Sequence, residues 1–513
     1  MHRSLPSGMA LLGASALAIA TFAGCGSTAD ETLTTTTTTH AGGSGGSGAG
    51  GGTGAAAGTA GTGGVAPCPD ATITDHSFDQ NTGDQVVPKV SAMADGSSWL
   101  AWYSNEQSNY DVRAQRVDSS GNGLLGTHGL LVSGHPSDTW IADFSLVTDH
   151  EQAAIVAFSD IRSGHFDPVG YRIAEDGTFA WGADGVALAA STLDGFFPKA
   201  VVTTSNDVVF AWERFNDTDT VHEVVLQRVG PDGTLRWGSG VTIPGTGGNL
   251  PVRPWLVGTG AEDVIVVWEE TPAAMSLDRT IYARRLDAQG AEVWSGDTTV
   301  SSGQQVQFYV DPVLEPDDTG GVFVAWAVVS GNQNTAYVQH LDADGAATMA
   351  AGGVGITTST TTQQLNTGLG WVAQSQELVV AWVETNMNQD RWGLRAQRFT
   401  PAGDIAWPPT GQELVALSDK QVDLAAVRGL GDRALLFQGE WSFGNVTDVR
   451  ILGGALDLTA SPTWAPEVLS DVQSGKGHPF VSAGPGCNGF WMVWEDLRTD
   501  LGDVFGGWLL ASP

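Results

Sequence analysis

The side chains of this chain that could do acid–base chemistry are spread along it. Asp143, Phe197, Arg253, Asp311, Asp423 and His478 each stand at or near the start of an apolar segment, and several of those segments open with proline. Together they offer carboxylates, one guanidinium and one imidazole, the groups from which general acid and base pairs are assembled. Metal motifs are thin: the ten His are scattered, no His-Glu-x-x-His occurs, and the three Cys are not at zinc spacing. Acidic residues do gather in short polar loops, as at Asp160 and Asp167, Glu213, Asp217 and Asp219, Glu269 and Glu270, Glu384 and Asp390, and Glu495, Asp496, Asp500 and Asp503. Such loops suit calcium, a hard cation that takes roughly six to eight oxygens. Solvated turns are the plainer reading, and the metal stays unknown. Gly42-Gly43-Ser44-Gly45-Gly46 has only the form of a nucleophile elbow, since it lies in low-complexity sequence without strand-turn-helix context.

What must position these groups is a repeat. An apolar run ending in an aromatic recurs as Leu100-Ala101-Trp102, Val156-Ala157-Phe158, Phe210-Ala211-Trp212, Val266-Val267-Trp268, Val324-Ala325-Trp326, Val380-Ala381-Trp382, Leu436-Phe437-Gln438 and Met492-Val493-Trp494. Successive anchors are 56, 54, 56, 58, 56, 56 and 56 residues apart. A Pro-led segment (Pro88, Pro198, Pro254, Pro312, Pro479) precedes the anchor, and a stretch of period two such as Val112 to Val117 follows its acidic loop. Period two means strand, and Asp-Gly type turns close it. A second Trp (Trp181, Trp237, Trp294, Trp407, Trp464), with Leu125 and Met349 in register, is expected to open a fourth strand. Four-stranded units repeated eight times bury their faces and edges by packing radially, which predicts an eight-bladed β-propeller with strands A to D running from axis to rim. Proline tolerates the first position of an edge strand, which fits it to the innermost one. The six residues named first then fall at the funnel where the A strands begin. Eleven of the nineteen Trp occupy the two repeat positions and read as core; Trp140, Trp392 and Trp441 lie near loops.

Composition sets limits. Hydrophobic residues at 42% are too many for a disordered chain, and the only long apolar run lies at the N-terminus, so a polytopic membrane protein is excluded. With 57 Asp plus Glu against 23 Lys plus Arg, the formal charge of −34 repels phosphate backbones and excludes nucleic acid as a partner. His2 and Arg3 followed by the apolar stretch from Met9 to Ala23 read as a secretory signal. Phe22-Ala23-Gly24-Cys25 resembles the lipobox of bacterial lipoproteins, which implies cleavage before Cys25 and a thiol carrying diacylglycerol beside acyl chains such as palmitate. Gly26 to Ala66 is almost wholly Thr, Gly, Ser and Ala, a tether of roughly 40 residues with a mean reach of about 35 Å.

The eighth unit supplies strands A, B and C and then the chain stops, while Ala71 to Phe78 stands one period ahead of the first D position. That segment is expected to complete the last blade. With Cys25 lipidated, Cys68 beside the closing strand and Cys487 in the last A–B turn remain, and an exported compartment permits them to pair.

The run of hydrophobic-Ala-Trp, acidic-x-Arg (Asp160-Ile161-Arg162, Asp496-Leu497-Arg498) and Ala-Gln-Arg-hydrophobic-Asp (Ala114 to Asp118) resembles the repeats of uncharacterised exported bacterial lipoproteins with a propeller body. The resemblance covers residues 68 to 513 and implies an envelope-attached binding or scaffolding role, without catalytic residues. The seventh unit departs most, with Gln438 at its anchor.

The expectation is thus an all-β, eight-bladed propeller over 68–513, behind a lipoprotein signal at 1–24 and a lipidated Cys and disordered tether at 25–67. It would be anchored at the outer membrane as a monomer, facing periplasm or exterior. It would serve as a noncatalytic module for an envelope protein or glycan, with no cofactor unless structural calcium. The alternative is an envelope hydrolase or lyase that acts on glycans from the central funnel; replacing Asp311 and His478 separates the two.

Overall fold

The computed structural model describes residues 68, 69 and 71–511, apart from 107–108, 138, 140–142, 190, 217–220, 274–275, 309 and 485–486. The expected signal, tether and Cys25, and also Trp140, lie outside the described residues. Among these, every regular element is a β-strand, and the strands form eight four-stranded antiparallel sheets. The innermost strands are Gln85–Ala92, Ser145–Thr148, Asp194–Val202, Leu250–Gly258, Val313–Pro316, Thr362–Val372, Lys420–Leu430 and Lys476–Ala483. Each touches the next, and the eighth touches the first. The ring is an eight-bladed propeller, and the divergent seventh unit is a complete blade within it.

The last blade closes as the period requires. Ile73–Asp79 pairs antiparallel with Asp503–Leu510, His76 opposite Gly506 and Ser77 opposite Phe505. Arg498 adds a two-pronged ion pair to Asp75, both contacts at 2.6 Å. At the other end of this seam Cys68 and Cys487 form a disulfide, with Cα atoms 5.7 Å apart.

The repeat residues have structural jobs. Anchors Trp102, Trp212, Trp268, Trp326, Trp382 and Trp494 are fully buried between sheets. In the Ala-Gln-Arg stretch, the buried Gln clamps the loop that follows: Gln397 donates to the Pro408 carbonyl (2.8 Å) and accepts from the Trp407 N–H (3.1 Å), and Gln115, Gln227 and Gln339 repeat the pattern. A satisfied buried amide fixes a loop because breaking it strands polar groups away from water. The Arg pairs with an acid at the A–B turn, as Arg228 does with Asp207 at 2.6 Å.

One expectation is corrected. The second Trp does not open strand D: Trp237 precedes the strand Val241–Pro244 and lies in the C–D loop. From there its indole N–H crosses to the next blade, donating to Ala288 at 3.0 Å; Trp181, Trp294 and Trp407 reach Pro231, Ala343 and Thr459 in the same way. Trp464 instead donates within its own blade, to Gly454 at 3.1 Å. An indole needs one partner for its N–H, and the neighbouring hairpin turn offers a carbonyl that a D strand would already have used.

Candidate functional site

Four of the residues marked from sequence at the A-strand starts, Asp143, Phe197, Arg253 and His478, share a backbone feature with Val87 and Asn366; Asp311 and Asp423 lack it. Val87, Asp143, Phe197, Arg253, Asn366 and His478 all have positive φ, between 42° and 56°. In six blades the A–B pairing slips at this point, for example between Val86 and Lys89 and between Gly477 and Phe480. A bulge of this kind re-aims side chains that regular pleating would send between blades. Left-handed backbone at a non-glycine residue costs on the order of 1–3 kcal/mol and persists where the surroundings impose it. In five blades the slip and the left-handed residue coincide, but Val87 and Phe197 pack into hydrophobic clusters there.

Asp143, Arg253, Asp423 and His478 are half-buried. In a propeller the starts of the innermost strands surround the central channel. The groups pair around it. Asp143 sits between Lys89 (2.6 Å) and Lys199 (3.1 Å); burial pushes its carboxyl up, and the two ammoniums outweigh that and hold it well below the usual range. Burial in turn pushes Lys89 down to about 8, against the pull of Asp143. Arg253 reaches Asp311 at 2.6 Å, and its N–H donates to Glu213 at 2.8 Å. Asn366 donates to Asp423, whose carboxyl burial pushes up to about 6. Farther along the channel Glu315 is pushed up to about 7 by burial, with Arg428 and the Trp371 N–H (3.0 Å) opposing.

Of the six residues marked from sequence, the structure therefore brings Arg253 and Asp311 into contact. Phe197 belongs to an aromatic cluster with Phe166, Phe196 and Phe215. Asp143 and Asp423 are held by neighbours that the sequence reading did not single out.

His478 has the fullest chemical setting. Its Nδ1 lies 2.7 Å from Glu495 Oε2. Beside this pair stands Asp84, just ahead of the first A strand, whose carboxyl is pushed up to about 6 by burial and by the Glu495 and Asp500 charges, against a hydrogen bond from Tyr110 (3.4 Å) and the pull of His478. The seam holds Asp84 in place: it bridges to Gly502, and its carbonyl accepts from the Asn105 N–H at 2.8 Å. Gly83 before it has φ 109°, and a Cβ there would lie 2.9 Å from the Asn105 carbonyl oxygen. All four groups lie at the end of the ring where B–C loops and D–A connections emerge. A carboxyl pushed up to about 6 next to an imidazole–carboxylate pair can donate and accept protons in one place.

No protein-family profile and no curated protein matches the chain by sequence. Solved structures do resemble it. They include a PL25 polysaccharide lyase, an ulvan lyase (9% identity over 85% of this chain and 94% of that one, TM-score 0.46). The Dos1 propeller matches at 8% over 86% and 96%, TM-score 0.46. The Penicillium chrysogenum α-L-arabinanase matches at 8% over 86% and 98%, TM-score 0.37. At these identities the likeness is one of fold. The expectation of a noncatalytic binding or scaffolding module is corrected to this extent: the solved propellers that resemble the chain include glycan-cleaving enzymes, the class of the alternative reading.

Proposed function

We propose that the chain is an envelope enzyme that cleaves glycans at the channel mouth, where the last blade meets the first. The observation that carries this reading is the His478–Glu495 pair with Asp84 and Tyr110 beside it. Asp84 protonates the oxygen of the leaving sugar. The His478 Nε2 is buried, so the group that takes a proton from the attacking water is Glu495, which the His478 Nδ1 proton orients. The binding groups are the channel residues Asp143, Arg253, Asp311 and Asp423, which offer hydrogen bonds to sugar hydroxyls.

Hydrolysis is favoured over β-elimination by the local charge. A lyase must stabilise the enolate of a uronate, which calls for a cation at the mouth. Asp84, Glu495 and Asp500 instead make that mouth negative, and Arg113 nearby is paired to Glu106 at 2.8 Å. Neutral or amino-bearing glycans fit such a field. Around this core, Cys25 carries the lipid, residues 26–67 hold the body off the outer membrane, and the enzyme works as a monomer.

The test is a panel of neutral, amino-bearing and uronate-bearing glycans incubated with the purified chain. New reducing ends without the ultraviolet absorbance of an unsaturated uronate support hydrolysis. Absorbance on uronate substrates assigns a lyase, and no cleavage on any class defeats the proposal.

A further inference from the structure

Most carboxylates of the B–C loops are already engaged: Asp160 by Arg162 (2.6 Å), Glu384 by Arg395 (2.5 Å), Glu269 by Arg279, Glu270 by the Thr246 N–H (3.1 Å) and Asp496 by Arg498 (2.5 Å). Asp503 breaks this pattern. It starts the third strand of the last blade, is 0% exposed, and neither of its carboxylate oxygens has a hydrogen-bond partner. Asp79 ends the closing strand opposite Val504, the next residue along, and is 1% exposed. Its Oδ1 takes the Asn81 N–H (3.1 Å) and His128 Nδ1 (2.9 Å), while its Oδ2 is buried and has no partner.

Three carboxylate oxygens on two neighbouring side chains are therefore buried with at most one donor, the Thr499 hydroxyl, beside them. Burial and the negative charges of Asp500, Asp496 and Asp79 push the Asp503 carboxyl up. The Thr499 hydroxyl, which accepts from Gln80 Nε2 at 3.3 Å, is the donor beside it, and one O–H cannot serve three oxygens.

We infer that Asp79 and Asp503 hold a divalent hard cation of the calcium class across the seam where the ring closes. A proton shared between two carboxyls would satisfy two of the three oxygens; a divalent ion engages all three and balances both charges. Calcium accepts an irregular oxygen shell of this kind, whereas magnesium demands a near-octahedral one. Among the described residues no three His, Cys, Asp or Glu side chains converge, so the shell rests on two carboxylates completed by the Thr499 hydroxyl, main-chain oxygens and water. So small a charge count places the affinity near the weak end of protein calcium sites, on the order of 10⁻⁴ to 10⁻³ M. The ion ties the closing strand to the last blade at the end of the seam opposite the disulfide.

The test titrates calcium chloride into the metal-stripped full chain by calorimetry and follows Tm with and without chelator. The expected result is one ion per chain and a Tm raised by several degrees, with Asp503→Asn abolishing both and Asp79→Asn weakening binding at least tenfold. Should Asp503→Asn fail to fold, Asp79→Asn and the wild-type titration still decide. No heat and an unchanged Tm at about ten times that affinity, or calcium stabilisation retained in Asp503→Asn, overturns the inference. A chain insensitive to calcium that Asp503→Asn stabilises overturns it in favour of a shared proton.

Discussion

His478 Nδ1 and Glu495 Oε2 stand 2.7 Å apart across the first two strands of the last blade, and His478 reaches that position from a left-handed backbone with φ 46°. The pair is thus made by a bulge.

Asp84 sets the pH dependence of the proposed reaction. Its carboxyl, pushed up to about 6, is protonated below that value and loses its proton above it. As a general acid it predicts a kcat/KM that falls about tenfold per pH unit on the alkaline side of 6. Asp84→Asn is expected to lose most of the activity and, in what remains, that limb. A wild-type profile flat from pH 5 to 8 contradicts the role.

Asp423 predicts a stability effect of the opposite kind to a surface carboxylate. Its folded value, about 6, is above the unfolded one, so the folded chain keeps a proton that the unfolded chain has lost between about pH 4 and 6. Stability falls as pH rises through that window and stays lower above it. Asp423→Asn removes the buried charge, and thermal melts at pH 8 are expected to show it more stable than wild type by about 2 kcal/mol, with little difference near pH 4. Equal melts at both pH values contradict the assignment.

The disulfide spans a sequence separation of 419 residues, so opening it releases a very large loop in the unfolded chain. Cys68→Ser with Cys487→Ser is expected to lower stability by about 3 to 5 kcal/mol by chain-entropy reasoning, with the blade count intact because Ile73–Asp79 stays hydrogen-bonded. Denaturant melts measure the loss, and an unchanged midpoint contradicts it.

The interblade lock is tested at Gly345. It has φ 80°, and a Cβ there would lie 2.5 Å from the Trp294 indole. Gly345→Ala is therefore expected to cost on the order of 1–3 kcal/mol, and Trp294→Ala should relieve the clash at the expense of its own packing. Additive losses in the double variant contradict the contact.

Architecture was legible because burial repeats: anchors such as Trp212 and Trp268 recur at a fixed spacing, and the missing D strand of the last blade announced the closing segment. The strand that Trp237 seemed to open was misread because an aromatic after a turn looks the same whether it enters a sheet or crosses to a neighbouring blade. The funnel positions could be found from the prolines that follow Val87, Phe197, Arg253 and His478, but their left-handed backbone leaves no mark of its own in residue type. Asp84 and Tyr110 were missed outright. Asp84 becomes chemically distinctive only when closure sets it beside Glu495 and Asp500, from the far end of the chain, and no local pattern encodes that meeting. The Asp503 oxygens are legible only in three dimensions, since in sequence Asp503 is one more acid in an acidic loop.

The most direct test of the acid–base site is turnover by His478→Ala on whichever glycan the panel identifies, with binding measured on the same preparation. The account predicts a kcat at least 100-fold below wild type with Kd changed by less than about threefold, because the imidazole orients the Glu495 base and the channel residues hold the sugar. Wild-type turnover in His478→Ala would contradict it.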